Sequence, residues 1–404
     1  MRAKQIETDS IVDVVFHLKW KSDEATHTDG YQASQINIWR DYLPSFLTEK
    51  LKGKQAGQRI EFQLNSDDVI PAFEERNLFQ VKKDQLDGRQ AAGKIANTGV
   101  GRFYPKGILK DVDGVFSANV QPFRCVERNN GYVTVDFNHP LSGKKLTVSA
   151  LIGKVEANDI ERGGTSVDWM EVLTTGPGMQ GRWQGRQTDF FSEGAFSRDD
   201  ETPDSRFYTE PRYVQHIDDT AIEIIRNTYG RFLRDDMQVL DLMSSWQSHL
   251  PDKLRFSRMA GLGLNESELK KNPRLSEFVV QDLNVNSRLP FDSNTFDAVV
   301  CTVSVEYLVE PLAVFKEVSR ILRTDGHFIV TFSNRWFPTK AIKVWKELHE
   351  FERMGMVLEY FSRSNGFKNL QTYSIRGLPR PSSDKYFPEL RFADPVFAIW
   401  GQKG

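Results

Sequence analysis

Four short stretches place polar, chemically capable residues directly after apolar runs. Asp241-Leu242-Met243-Ser244-Ser245 closes the first, and Gly263-Leu264-Asn265 the second. Asp282-Leu283 closes the third, and Val303-Ser304 the fourth, followed at once by Glu306 and Tyr307. Carboxylates at such points accept hydrogen bonds from a ligand's amino or hydroxyl groups, and serine hydroxyls both donate and accept. Candidate proton acceptors are Glu306, Tyr307, His216 and His249. Two have a second reading: His249 as a loop histidine satisfied by backbone, Glu306 as a helix-start carboxylate favoured by the helix dipole. Asn334 and Arg335 follow a fifth apolar run, where Arg335 serves either an anionic ligand group or a surface ion pair. No metal site is expected. Cys125 and Cys301 are far apart and lie in apolar runs, as buried thiols do. His139 has no other histidine near it in sequence, so it reads as a structural histidine of a turn.

The elements that must position these groups follow from the hydrophobic pattern. From about residue 206, short apolar strands alternate with helices: strands over 238–243, 259–264, 277–280, 296–303 and 326–332. Helices fall over 266–272 and 311–322, the latter with Pro near its start, and two more over about 339–364. Late strands cover 370–375 and 396–400. Buried strands alternating with helices predict an α/β doubly wound, mostly parallel sheet, whose ligands sit at the carboxyl ends of the strands.

Residues 10 to about 155 read differently. Period-2 alternation marks strands over 11–20, 59–64, 132–137 and 145–152. A short helix runs over 44–52, and turn signals fall at Asp29-Gly30, Asp113-Gly114, Asn130-Gly131 and Ser142-Gly143. This half is β-rich. Residues 158–205 break the pattern with Gly and polar residues yet carry Trp169, Trp183, Phe190, Phe191 and Phe196. They are expected to be an inter-domain linker whose aromatic groups lie on a neighbouring domain. The expected organisation is two domains, 1–157 and 206–404.

VLDLMSSW, AGLGLNESEL, VVQDLNVNSRLPFDSNTFDAVVCTVSVEYL and FKEVSRILRTDGHFIVTFSN resemble the class I S-adenosylmethionine-dependent methyltransferases. The resemblance covers about half the chain and implies a Rossmann-like sheet binding S-adenosylmethionine. The implied cofactor residues are those of the four strand ends, with Asp241 shaping the loop near the methionine moiety and Asp282 accepting the adenine amino group. Tyr307, Asn334 and Arg335 would face the methyl acceptor, and residues 207–218 would form a helical lead-in over the pocket. Two departures stand out. The usual glycine-rich loop is Met243-Ser244-Ser245-Trp246 here, and Trp246 is expected to point away from the cofactor. The second strand ends in Gly263 where the family carries an acid for the ribose hydroxyls, leaving Asn265 as the nearest polar side chain.

DYLPSFLTEKLKGKQAGQRIEF (41–62) and VTVDFNHPLSGKKLTVSALI (133–152) resemble the FKBP-type prolyl isomerases of the SlyD group. That implies an FKBP-like half-barrel with a chaperone insert in its flap, about residues 101–142, and an apolar pocket floored by Tyr42, Leu43 and Phe46. The catalytic Asp and the flap Ala-Tyr-Gly of that group are absent, so weak or no isomerase turnover is expected.

The 404 residues carry 53 basic and 55 acidic side chains, a net charge of -2, which gives no electrostatic case for nucleic acid or an anionic membrane. No run approaches the ~20 apolar residues of a membrane span. The N-terminal stretch lacks the apolar run of a signal peptide, so a cytoplasmic protein is expected. The reading is a methyltransferase whose FKBP-like domain binds or recruits a partner or substrate, the acceptor being a protein, a peptide or a small molecule. The alternative is a non-catalytic chaperone or scaffold with a degenerate methyltransferase domain.

Overall fold

The computed structural model describes residues 5–86, 98–157 and 163–404. It divides into two compact units. Unit 1 is Met1–Ser192 with Glu347–Met356, and unit 2 is Glu193–Lys346 with Val357–Gly404.

Unit 1 is built on β1 (Ser10–Lys21), β2 (Thr26–Asn37), α1 (Ser45–Leu51) and β3 (Arg59–Asn65). Then come β4 (Leu78–Lys82), β5 (Phe103–Pro105), β6 (Pro122–Arg128), β7 (Tyr132–Asp136), β8 (Lys145–Ala157) and α2 (Trp169–Thr174). Antiparallel pairing places the strands in the order β2-β1-β8-β3. Along β1, Val12, Val14, Phe16, Leu18 and Trp20 all face inward, as the alternation predicts. Leu47 and Leu51 of α1 close the same core. Burying side chains of this size contributes roughly 1.5–3 kcal/mol each.

β2 departs from expectation. Asp29-Gly30 is not a turn but mid-strand, with Leu18 opposite Asp29 and His17 opposite Gly30. Asp29 tolerates burial because its carboxylate accepts hydrogen bonds from Trp20 Nε1 (2.8 Å) and Gln180 Nε2 (3.1 Å).

β4, β7, β6 and β5 form a separate four-stranded antiparallel sheet. It starts at Leu78 rather than near residue 101, because β4 pairs along β7 from Leu78↔Asp136 to Lys82↔Tyr132. Its own core gathers Val81, Tyr104, Ile108, Phe123, Cys125, Val133 and Val135. Asn138 ties the two chain crossings into this sheet. Its Nδ2 donates to Glu74 O (3.0 Å), and its Oδ1 accepts from Glu74 N (2.9 Å) and Asn77 Nδ2 (3.3 Å). His139 serves the next turn: its Nδ1 accepts from Leu141 N (3.1 Å), and burial pushes its pKa down to about 4.

Residues 158–162 of the expected linker lie outside the described residues. The rest is folded into the two units. In unit 1, Trp169 Nε1 donates to Asp41 (2.9 Å), Trp183 Nε1 donates to Asp136 (3.1 Å), and Phe190 is buried. In unit 2, Phe196 packs on Tyr360 at 6.4 Å. Residues 347–356 complete unit 1. Glu352, buried there, accepts a hydrogen bond from Phe103 N (2.8 Å), and Phe351 is fully buried.

Unit 2 carries α3 (Asp204–Phe207), α4 (Asp219–Tyr229), β9 (Gln238–Leu242), β10 (Arg258–Gly263), α5 (Glu266–Lys271), β11 (Glu277–Val280) and β12 (Phe296–Thr302). It continues with α6 (Pro311–Ile321), β13 (Leu322–Phe332), α7 (Lys343–Glu347), α8 (Glu350–Ser364), β14 (Phe367–Arg376) and β15 (Val396–Lys403). The last residue of α7 and the first residues of α8 belong to unit 1. The strand order is β11-β10-β9-β12-β13-β15-β14. β11 to β13 are parallel, and β15 and β14 are antiparallel. The doubly wound α/β sheet is therefore present, and its order reverses between β9 and β12, where such sheets open a crevice. The helical lead-in is corrected. Helix ends at Phe207, and residues 208–218 are irregular until α4 begins behind its Asp218 cap (Oδ1 from Ala221 N, 2.9 Å). Pro211 explains the break, since it lacks an N–H and biases Glu210 away from helix.

Among the described residues no helix is long and apolar enough to cross a membrane.

Candidate functional site

A cavity of about 150 Å³ opens at the carboxyl ends of β9, β10, β11 and β12. Of the sequence-predicted residues, Asp241, Met243, Ser244, Ser245, Gly263, Leu264, Asn265, Asp282, Leu283, Val303, Ser304 and Tyr307 all line it. Leu242 does not; it is fully buried in the sheet core. Asn334 and Arg335 are also outside its lining. Arg335 Nε is paired with Asp394 (3.1 Å) and stacks over Tyr386 at 4.7 Å. Phe337, two residues on, lines the cavity instead. Tyr42, Leu43 and Phe46 belong to unit 1. Tyr42 is 56% exposed, Leu43 is buried in the core, and Phe46 sits edge-on to Phe62 at 5.7 Å.

The loop after β9 is held without glycine. Asp241 is 4% exposed and accepts hydrogen bonds from Ser244 Oγ (2.7 Å) and Ser248 Oγ. Asn272 Nδ2 donates in turn to Ser248 Oγ (2.9 Å) and Ser245 O (2.9 Å). Burial pushes the Asp241 carboxyl up to about 6, against the pull of the two hydroxyls. Met243 turns the chain at φ 59° and Val303 does so at φ 48°. Positive φ is uncommon outside glycine, and in a β-branched residue it is a clear outlier. Two such residues facing one cavity fit the tendency of backbone strain to collect at functional sites.

Gly263 also has a steric reason. A Cβ there would lie 2.2 Å from Ser244 O, so the strand end has no room for a carboxylate. Asn265 does not replace it. Its Oδ1 caps α5 by accepting from Glu268 N (3.0 Å), and its Nδ2 donates to Tyr208 O (2.8 Å) and Thr209 O (3.2 Å). Trp246 corrects the expectation that it points away: it lines the cavity, with Nε1 donating to Val214 O (3.4 Å) and Tyr213 edge-on at 6.3 Å.

Asp282 accepts from Asn284 N (2.9 Å), and its carboxyl is pushed up by burial and, less, by Asp204. Asp204 is itself neutralised by Arg198 Nη1 (2.7 Å) and the buried Lys340 Nζ (3.2 Å). Tyr208 and Arg212 lie in the expected lead-in and Phe337 in the 334–337 segment expected on the substrate side, whereas sequence reasoning missed Asp204 and Glu268. Only their position beside the strand-end motifs could have signalled them.

The opposite wall is aromatic. Phe207, Tyr208, Tyr307 and His216 all lie within 6.3 Å of Phe337, ring centre to ring centre. Tyr307 OH accepts from Phe337 N (2.9 Å), and the Arg212 guanidinium stacks over Phe207 at 4.2 Å. Of the candidate bases, His216, His249 and Tyr307 line the cavity, whereas Glu306, 1% exposed, does not. Burial first, then Arg226 and His216, lowers His249 to about 4; burial, then Arg212, also lowers His216. The lowering favours the neutral form of both rings and weakens them as proton acceptors. Among the described residues no cluster of three or more His, Cys, Asp or Glu is arranged to hold a metal ion.

A doubly wound α/β unit with a part-acidic, part-aromatic cavity at its switch point defines a domain built for a small organic ligand. More particularly, residues 251–330, which span β10 to most of β13, match the family model described as a methyltransferase domain. Similar solved structures include an S-adenosylmethionine-dependent methyltransferase from Mesorhizobium loti, at 14% identity over 44% of this chain and 96% of that one, TM-score 0.31. One from Archaeoglobus fulgidus shares 14% identity over 45% and 94%, TM-score 0.32. One from Aquifex aeolicus shares 13% over 50% and 97%, TM-score 0.31. No curated protein matches the chain.

Proposed function

We propose that unit 2 is an S-adenosylmethionine-dependent methyltransferase. The observation that carries this reading is the cavity at the β9–β12 switch point, lined by Asp241, Gly263 and Asp282, within and beside the matched segment. The residues fit the cofactor. Asp241 is a buried carboxylate held only by hydroxyls, so a cation beside it gains more than it would in water. Among the described residues of the lining, Asp241, Glu268 and Asp282 outnumber one cation, Arg212, with Asp204 already paired to Arg198 and Lys340.

S-adenosylmethionine supplies, when bound, a methyl group already activated on a sulfonium. The chain's task is then positioning and exclusion of water. The Met243-Ser244-Ser245 loop sets the shape of the cation-favouring end. Asp282 accepts an amino group, and Leu264 and Leu283 supply apolar lining for a ring. Tyr208, Tyr307 and Phe337 form an apolar wall for the acceptor, and His216 or His249, neutral, takes its proton.

Unit 1 is read as an FKBP-like module that binds a protein or peptide partner or substrate for methylation. Its support is the four-stranded sheet inserted at the Asn138 tie and α1 packed beneath the β2-β1-β8-β3 sheet.

Calorimetric titration with S-adenosylmethionine and S-adenosylhomocysteine tests the first reading. Micromolar binding, lost in Asp282→Ala, is expected. A folded chain that binds neither ligand sinks it and leaves the scaffold reading, which unfolded-peptide binding then checks.

A further inference from the structure

We propose that Glu268, on the first turn of α5, accepts both ribose hydroxyls of the adenosyl ligand. The inference rests on the cofactor reading above. A cis-diol presents two O–H donors on adjacent carbons and is best met by the two oxygens of one carboxylate. Among the described residues four carboxylates line the cavity, and their existing bonds separate them. Asp204 is spent on Arg198, Lys340 and Asn284 Nδ2 (2.9 Å). Asp241 takes both serine hydroxyls of its own loop on one oxygen, Oδ2. Asp282 has one oxygen turned to Asn284 N.

Of these four, Glu268 carries one bond on each oxygen. Its Oε1 accepts from Arg212 N (2.6 Å) and its Oε2 from Ser245 Oγ (2.6 Å). Each oxygen keeps about one further acceptor position. Those two bonds, with the Asn265 cap beneath, fix the carboxylate before any ligand arrives, so little ordering cost remains for binding. The neighbouring strand end cannot do this work, because a side chain at Gly263 meets Ser244 O at 2.2 Å. The crowded loop therefore shifts the acceptor from β10 onto α5.

The test compares S-adenosylhomocysteine with its 2′,3′-dideoxy analogue by calorimetry on the full chain and on Glu268→Gln. The native chain is expected to prefer the diol by about tenfold or more. In Glu268→Gln that preference collapses toward one, while affinity for the dideoxy analogue changes less than about threefold. A purely structural role for Glu268 would weaken both ligands alike and leave the ratio intact, which overturns the proposal. Glu268→Asp, one methylene shorter and still charged, is the second variant should the glutamine form fold poorly, and it too should lose the ratio. If the native chain binds neither ligand, the methyltransferase reading fails first and this inference with it.

Discussion

At Asp241 a carboxylate is buried against hydroxyls rather than a cation, and its pKa rises to about 6. An acid whose folded pKa lies above its unfolded value binds its proton more tightly when folded. Its contribution to stability is present below about pH 4 and is lost as pH rises through about 6. At pH 7 the free chain thus holds an unfavourable anion that a cationic ligand relieves. Affinity for S-adenosylmethionine should fall about tenfold between pH 7 and pH 5, with proton release on binding at the lower pH. Calorimetry in two buffers of different ionisation enthalpy reads both effects, and a flat profile would remove Asp241 from the role. Met243 offers a second residue-scale prediction. Its φ of 59° costs an L-residue roughly 1–2 kcal/mol, so Met243→Gly should be neutral or stabilising by up to about 1 kcal/mol in urea unfolding. Met243→Val at the same place should destabilise.

At the element scale, Gly263→Asp would supply the acid that the family resemblance leads one to expect. Its Cβ would collide with Ser244 O, so the variant should lose at least about 2 kcal/mol of stability and weaken ligand binding rather than improve it. Thermal unfolding and titration of the same sample decide this. Much of the fold was legible. β11 coincides with its predicted span, and β1, β3, β9, β10, β12 and α6 fall within a residue or two of theirs, because buried strands and amphipathic helices write their period into the residues. What was hidden depends on partners distant in sequence. The turn signal at Asp29-Gly30 was overridden by Trp20 and Gln180, which satisfy the buried carboxylate. The strand-end motifs placed the site, yet Asp204 and Glu268 reach the cavity through tertiary placement that periodicity does not encode. Asn138 was visible as a motif, but its task of tying two chain crossings was not; Asn138→Ala should cost about 2 kcal/mol, read by denaturant unfolding.

For the whole molecule, ligand binding and stability are linked. Saturation at 100 times Kd should add about 2.7 kcal/mol to the unfolding free energy of the cavity-bearing unit, seen as a concentration-dependent rise in its transition temperature. If two transitions are resolved, the one belonging to unit 1 should not move. Unit 1 is also not a contiguous piece of chain. The Phe103–Glu352 hydrogen bond joins residues 249 apart, and residues 347–356 supply the buried Phe351. A fragment of residues 1–192 should therefore be less stable than unit 1 in the intact chain, and a peptide of 347–356 should recover part of the loss.

The same closure sets a clock during synthesis. The first 192 residues leave the ribosome with their last segment still unmade, and residues 193–346 must be translated before it arrives. At ~5–20 residues per second that wait is roughly 8–30 s. Through that interval the nascent first unit offers an unfilled apolar seat to any chaperone nearby.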